Sequence, residues 1–179
     1  MRNLNQYLMQ SIKLSQSENI LERLKINKDI SPIKYNYHPN NFDELRSLLE
    51  KLIEERGQDA NLNDIDVSKI TSFGDYIKNG KYRDYYGVFY GLDPHNIKID
   101  RWDVSNVENM DFTFDNCINF NCDLSNWNVR NVNRMKYMFN GCMSFTGQGL
   151  ENWKPIKCKF MILMFEGSGV KKYPDWYKE

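Results

Sequence analysis

Neither sign of charge predominates in this chain: 24 Lys and Arg stand against 24 Asp and Glu. A balanced chain has no electrostatic footprint for nucleic acid or for an anionic membrane. Histidine is scarce, with His38 and His95 the only two. There is no P-loop, dinucleotide fingerprint, nucleophile elbow, metal-binding His pair or triad signature, so catalysis has no recognisable carrier and no enzyme is expected. No apolar run approaches the roughly 18 residues that mark a membrane span. The opening stretch, MRNLNQYLMQSIKLSQSENI, lacks the apolar core and small-residue cleavage site of a secretory leader. The chain as written is therefore expected in the cytoplasm, with the cell surface or a virion as alternatives.

Cysteine is sparse as well. Cys117, Cys122, Cys142 and Cys158 include no C-x-x-C pair, which argues against zinc. Buried, reduced thiols are the expected state. A Cys117–Cys142 disulfide is the second reading, and the missing leader weighs against it. Residues 61–66, NLNDID, are rich in oxygen ligands but lack the glycine and glutamate spacing of an EF-hand loop. No metal and no cofactor is expected.

What is present is a period. Trp102, Trp127 and Trp153 lie 25 and 26 residues apart. Met110, Met135 and Met161 keep the same offsets, as do Phe114, Phe139 and Phe165. Cys117 and Cys142 are again 25 apart. Unrelated residue types sharing one offset indicate an internal repeat, and units of this size bury their apolar faces only against neighbours. Within a unit, Trp127, Val129 and Val132 suggest a short extended segment. Met135, Met138 and Phe139, at i, i+3 and i+4, suggest a helical turn. Asn140-Gly141 and Asp115-Asn116 supply turn chemistry after it. Asp66, Asp103 and Asn128 occupy equivalent positions and are expected to hold turns through side-chain to backbone bonds, with Asn106 and Asn131 forming a similar ladder.

The pattern W-[DN]-V-x-N-V-x-x-M-x-x-x-F-x-x-C-x-x-F-[NT], specific over residues 102–121 and 127–146, resembles the BspA-like repeat of bacterial surface proteins. That repeat is described as leucine-rich-repeat-like, and Mycoplasma lipoprotein-type repeat proteins share it. The likeness weakens over 153–166, where Pro155 and Cys158 replace the two valines. A degenerate earlier copy, IDVSKITSF, starts at Ile65 and sets Ile77 at the Phe114 position. The resemblance covers roughly residues 35–167 and implies a binding or scaffold module in place of an enzyme. It also implies the fold class: α+β, a short leucine-rich-repeat-like solenoid of about four units with an N-terminal helical cap.

Three segments follow. Residues 1–34 read as a helical arm, with Leu4, Tyr7, Leu8 and Ile12 in one stripe and Ile20, Leu21 and Leu24 in another. Residues 35–60 read as a capping strand and helix, IKYNYHP alternating as an extended link. The helix runs from about Phe42 to Arg56, with Asn41 and Glu44 as a capping pair, Gly57 as its stop, and Phe42, Leu45, Leu48, Leu49, Leu52 and Ile53 on one face. Residues 61–179 read as the BspA-like array. Trp176, 23 residues beyond Trp153, imitates the start of another unit.

From Ile65 to Trp102 the spacing widens to 37. The extra residues hold Tyr82, Arg83, Tyr85, Tyr86, Phe89 and Tyr90, the candidate partner-binding set, because insertions in arrays often mark a binding face and Tyr and Arg are hot-spot residues. The competing reading makes this stretch a worn unit whose Phe89 or Tyr90 joins the core. The function expected is protein–protein interaction or scaffolding, with another protein as partner and no small-molecule substrate. A phage-encoded or cytoplasmic inhibitor or structural component is one alternative; a cell-surface adhesin-type module without its signal is another. The lysines near the C-terminal end, Lys154, Lys157, Lys159, Lys171 and Lys172, are the sole basis for a nucleic-acid reading, which is disfavoured.

Overall fold

The structure, a computed structural model, describes residues 33–79 and 82–178, the side chains of 76–84 excepted. The chain divides into two units, Met1–Ile33 and Lys34–Glu179. The expected N-terminal helical arm therefore lies outside the described residues, which belong almost wholly to the second unit.

Helix α1 spans Phe42–Arg56. The Asn41 side-chain oxygen accepts the Glu44 N–H at 2.9 Å, satisfying one of the orphan donors of the first turn. The Glu44 carboxylate accepts the Asn40 N–H at 2.9 Å. This reciprocal bond forms one residue earlier than the capping pair implies, and it holds the Glu44 carboxyl below its ordinary range. Gly57, at φ 85°, ends the helix in a conformation that penalises a Cβ. Phe42, Leu45, Leu49, Leu52 and Ile53 are buried, with Leu48 half-buried beside them.

Strands β1 (Gly74–Asn79) and β2 (Tyr82–Gly87) form one antiparallel hairpin, in register from Gly74↔Gly87 to Asn79↔Tyr82. The insertion is thus regular structure. The IKYNYHP segment makes only an isolated parallel bridge, Tyr37↔Ile65.

The expected leucine-rich-repeat-like solenoid of about four units with a helical cap does not form. The described residues contain one α-helix, one two-stranded sheet and a 3-10 turn at Leu150–Asn152. No strand–helix unit recurs, and the fold is small, α+β and mostly irregular. The reason is visible at the expected helical turn. Met135, Met138 and Phe139 are all buried, but Tyr137 between them stands at φ 55°. A left-handed residue ends any right-handed turn. The N–H groups of Met135, Tyr137 and Phe139 point sideways instead, to the carbonyls of Phe160, Ile162 and Met164 at 2.8, 3.1 and 2.9 Å.

The sequence period survives as ladders of side chains. Trp102, Trp127, Trp153 and Trp176 stack in order, with centroids 6.4, 6.3 and 6.0 Å apart. Their indole N–H groups donate to the carbonyls of Leu62, Ile99, Leu124 and Leu150 at 2.8, 3.0, 2.9 and 2.7 Å. Phe89, Phe114, Phe139 and Phe165 form a second row, at 5.0, 5.6 and 5.8 Å. The rung assigned to Ile77 is filled by Phe89, because the hairpin loops out and returns the chain to the core only after β2.

The thiols follow the same order. Cys117 donates to Phe89 O at 3.6 Å and Cys142 to Phe114 O at 2.9 Å. All four cysteines are free, and burial raises the thiol pKa of each, to about 12 for Cys122. Asp66 and Asp103 accept the N–H two residues on, each at 3.0 Å, and Asn128 does so at 3.4 Å. The Asn106 and Asn131 amides donate to Ser68 O and Ser105 O at 2.8 and 2.7 Å, the ladder expected of them.

Candidate functional site

The hairpin sits flush on the chain that follows it. A Cβ on Gly74 would overlap the carbonyl oxygen of Asp111, and one on Gly87 that of Phe112. Only glycine allows this approach, and it sets Tyr85 of β2 over the outer face of residues 111–113.

Tyr85 and Tyr86, adjacent on β2, point to opposite faces as strand geometry requires. Tyr86 packs edge-on against Phe42 of α1 at 5.3 Å and is half-buried. Burial, followed by the nearby Asp75 and Asp43 carboxylates, raises its phenol pKa. Tyr85 is 47% exposed and stacks on Phe112 at 5.6 Å, and Phe112 stacks on Tyr137 at 5.0 Å. Tyr90 is 49% exposed. Phe89 is fully buried and belongs to the core. Tyr82 and Arg83 lie on β2 by their backbone, and their side chains are outside the described residues.

The site therefore contains Tyr85 and Tyr90 from the sequence-derived set, joined by Phe112 and Tyr137. These two were missed because they fall at unconstrained positions of the motif, two residues after Met110 and Met135. The available signal was chemical: a bulky apolar residue recurs there, as Phe112, Tyr137 and Leu163. All three occupy the left-handed region, at φ 60°, 55° and 53°, which is a true outlier for bulky side chains. The backbone turn that buries the flanking Met and Phe residues forces the residue between them outward.

A groove of about 630 Å³ opens along this ladder, lined by Tyr85, Tyr90, Phe112, Tyr137, Arg134 and Lys136 over Asp111. Tyr85 and Tyr90 also line a second depression of about 570 Å³ against Arg46 and Glu50 of α1, so they form a ridge between the two. Asp111 is buried, accepting from Arg134 Nε at 2.7 Å and from the Lys136 N–H at 2.8 Å. The Lys136 ammonium lies 5.0 Å from the Phe160 ring centroid, a cation–π contact. Aromatic edges line this surface beside the Lys136 ammonium, while Arg134 is ion-paired through Nε and Nη2 to the buried Asp111, which also accepts the Lys136 N–H.

Residues 83–174 match the family described as Mycoplasma protein of unknown function, DUF285. That match is consistent with the BspA-like resemblance and carries no leucine-rich-repeat assignment. No curated protein and no solved structure matches the chain.

Proposed function

We propose, for a chain that belongs to the DUF285 family, that it is a non-catalytic protein-binding module gripping its partner through the Tyr85–Phe112–Tyr137 ladder. The single observation behind this reading is that row of rings, flanked by Tyr90, Arg134 and Lys136 on an open groove. Tyr and Arg concentrate binding energy when a partner excludes water from them. The rings are already stacked on one another, so little side-chain entropy remains to be lost on docking. Holding Phe112 and Tyr137 left-handed costs about 1–2 kcal/mol each. Strain of this kind gathers at functional positions, where glycine or asparagine would relieve it.

The partner on this reading is a protein presenting apolar side chains with a carboxylate beside them, matched to Lys136. The test compares wild type with Tyr85→Ala/Tyr90→Ala and with Tyr137→Asn in crosslinking and pull-down. Each variant is expected to melt close to wild type, Tyr137→Asn within about 1 kcal/mol, since asparagine tolerates the left-handed region. Both are expected to lose partner capture. Unchanged capture by folded variants would remove the ladder as the contact.

A further inference from the structure

Each row of the ladders is tied to the next through alternate main-chain N–H groups. Met110, Phe112, Phe114 and Asn116 donate to the carbonyls of Arg134, Lys136, Met138 and Asn140 at 2.9, 2.9, 3.0 and 2.8 Å. Met135, Tyr137, Phe139 and Gly141 donate to Phe160, Ile162, Met164 and Glu166 at 2.8, 3.1, 2.9 and 2.7 Å. Between each pair of rows one bond runs the other way: Asn133 N–H to Glu108 O at 2.8 Å, and Lys159 N–H to Asn133 O at 3.1 Å. On the last row this pattern stops. Among the described residues, the N–H groups of Met161, Leu163, Phe165 and Gly167 and the Lys159 carbonyl make no hydrogen bond. Tyr173 and Tyr177 cover Phe165, at 5.3 and 5.0 Å. Phe160, Ile162 and Leu163 are 46%, 56% and 43% exposed. The uncovered part is an edge: the Lys159 acceptor, then the Met161 and Leu163 donors.

We propose that this edge docks an extended segment of a protein partner by main-chain addition, running parallel to residues 159–163. The two internal rows specify the occupant. It donates one N–H to Lys159 O and returns two alternate carbonyls to Met161 and Leu163, as residues 133–137 are met by 159–162. Its side chains over Phe160 and Ile162 are apolar. Its leading end is acidic, because Lys154, Lys157 and Lys159 are exposed at that end of the edge and no Asp or Glu occurs between residues 152 and 165. Unpaired main-chain donors and acceptors at an exposed edge can take up a further segment, with main-chain bonds supplying affinity and side-chain contacts supplying selectivity.

The test uses the full chain, isotope-labelled, and two synthetic peptides: a short Asp/Glu run followed by alternating Val and Thr, and its Lys-headed counterpart. In the free chain, the Met161 and Leu163 amides are expected to exchange with solvent far faster than those of Met135 and Tyr137. The acidic-headed peptide is expected to slow them and to bind about tenfold more tightly than the Lys-headed one at low salt, the margin shrinking as salt rises. Ile162→Lys, at an exposed position, is expected to weaken binding about tenfold with the melt unchanged. Tyr85→Ala/Tyr90→Ala is expected to bind like wild type, which separates this edge from the aromatic groove. Amides at 161 and 163 that ignore the acidic-headed peptide would overturn the proposal, as would equal binding of both peptides. A concentration-dependent dimer abolished by Ile162→Lys would overturn it in favour of a second copy as occupant.

Discussion

Asp115 is a carboxylate whose surroundings oppose its charge. Burial raises its pKa, and the side-chain amides of Asn140 and Asn116, donating at 2.7 and 3.2 Å, only partly offset this. With the folded pKa above the unfolded one, protonation favours the fold, and that contribution fades as pH rises through the folded pKa. Asp115→Asn, which keeps an oxygen for Asn140, is therefore expected to be at least as stable as wild type at neutral pH. Its advantage should shrink as pH falls into the acid range, where Asp115 takes up its proton earlier than an ordinary carboxylate. Urea unfolding at neutral and at acid pH checks this, and a pH-independent loss of stability would contradict it. Residue-level legibility was uneven. The Asx turns at Asp66 and Asp103 could be read from residue type, since those side chains bond their own backbone. The left-handed Phe112 and Tyr137 could not, because no local preference of Phe or Tyr favours that conformation and only neighbouring rows impose it.

At the scale of elements, α1 was fully legible: a cap, a stop and a single apolar stripe lie within one continuous segment. The hairpin was not legible, because a stretch so rich in Tyr reads as a loop or a worn unit. Its placement depends on Gly74 and Gly87, where the main chain of residues 111–113 comes too close for any side chain. Gly87→Ala is accordingly expected to destabilise the protein by about 1–3 kcal/mol or more, because the carbonyl it meets is backbone and cannot swing away. Gly91→Ala serves as the comparison: at φ 72° but in open space, it should cost about 1 kcal/mol. Thermal melts of the two decide between close packing and simple backbone preference. Equal effects would mean that the hairpin base is not pressed against residues 111–113.

For the whole molecule, stability rests on rows of rings running through one core. Trp127 is buried between Trp102 and Trp153 and donates to Ile99 O at 3.0 Å. Trp127→Ala is expected to cost about 3–5 kcal/mol, from lost packing and the cavity left behind. Trp176→Ala, at the half-buried end of the row, should cost about half that or less. Denaturant midpoints with unchanged slope would establish the ordering. The 25-residue offset by itself determined which side chains line up, because equal spacing brings equivalent residues to equivalent heights. The sequence also determined α1, whose signals are all local. Only the tertiary structure decided that the chain between the rungs is irregular, that Phe89 fills the rung assigned to Ile77, and that Tyr85 meets Phe112 and Tyr137 on the surface. Those outcomes depend on hydrogen bonds between rows, such as Tyr137 N–H to Ile162 O. Bonds between segments that far apart leave no local pattern of residue types to read.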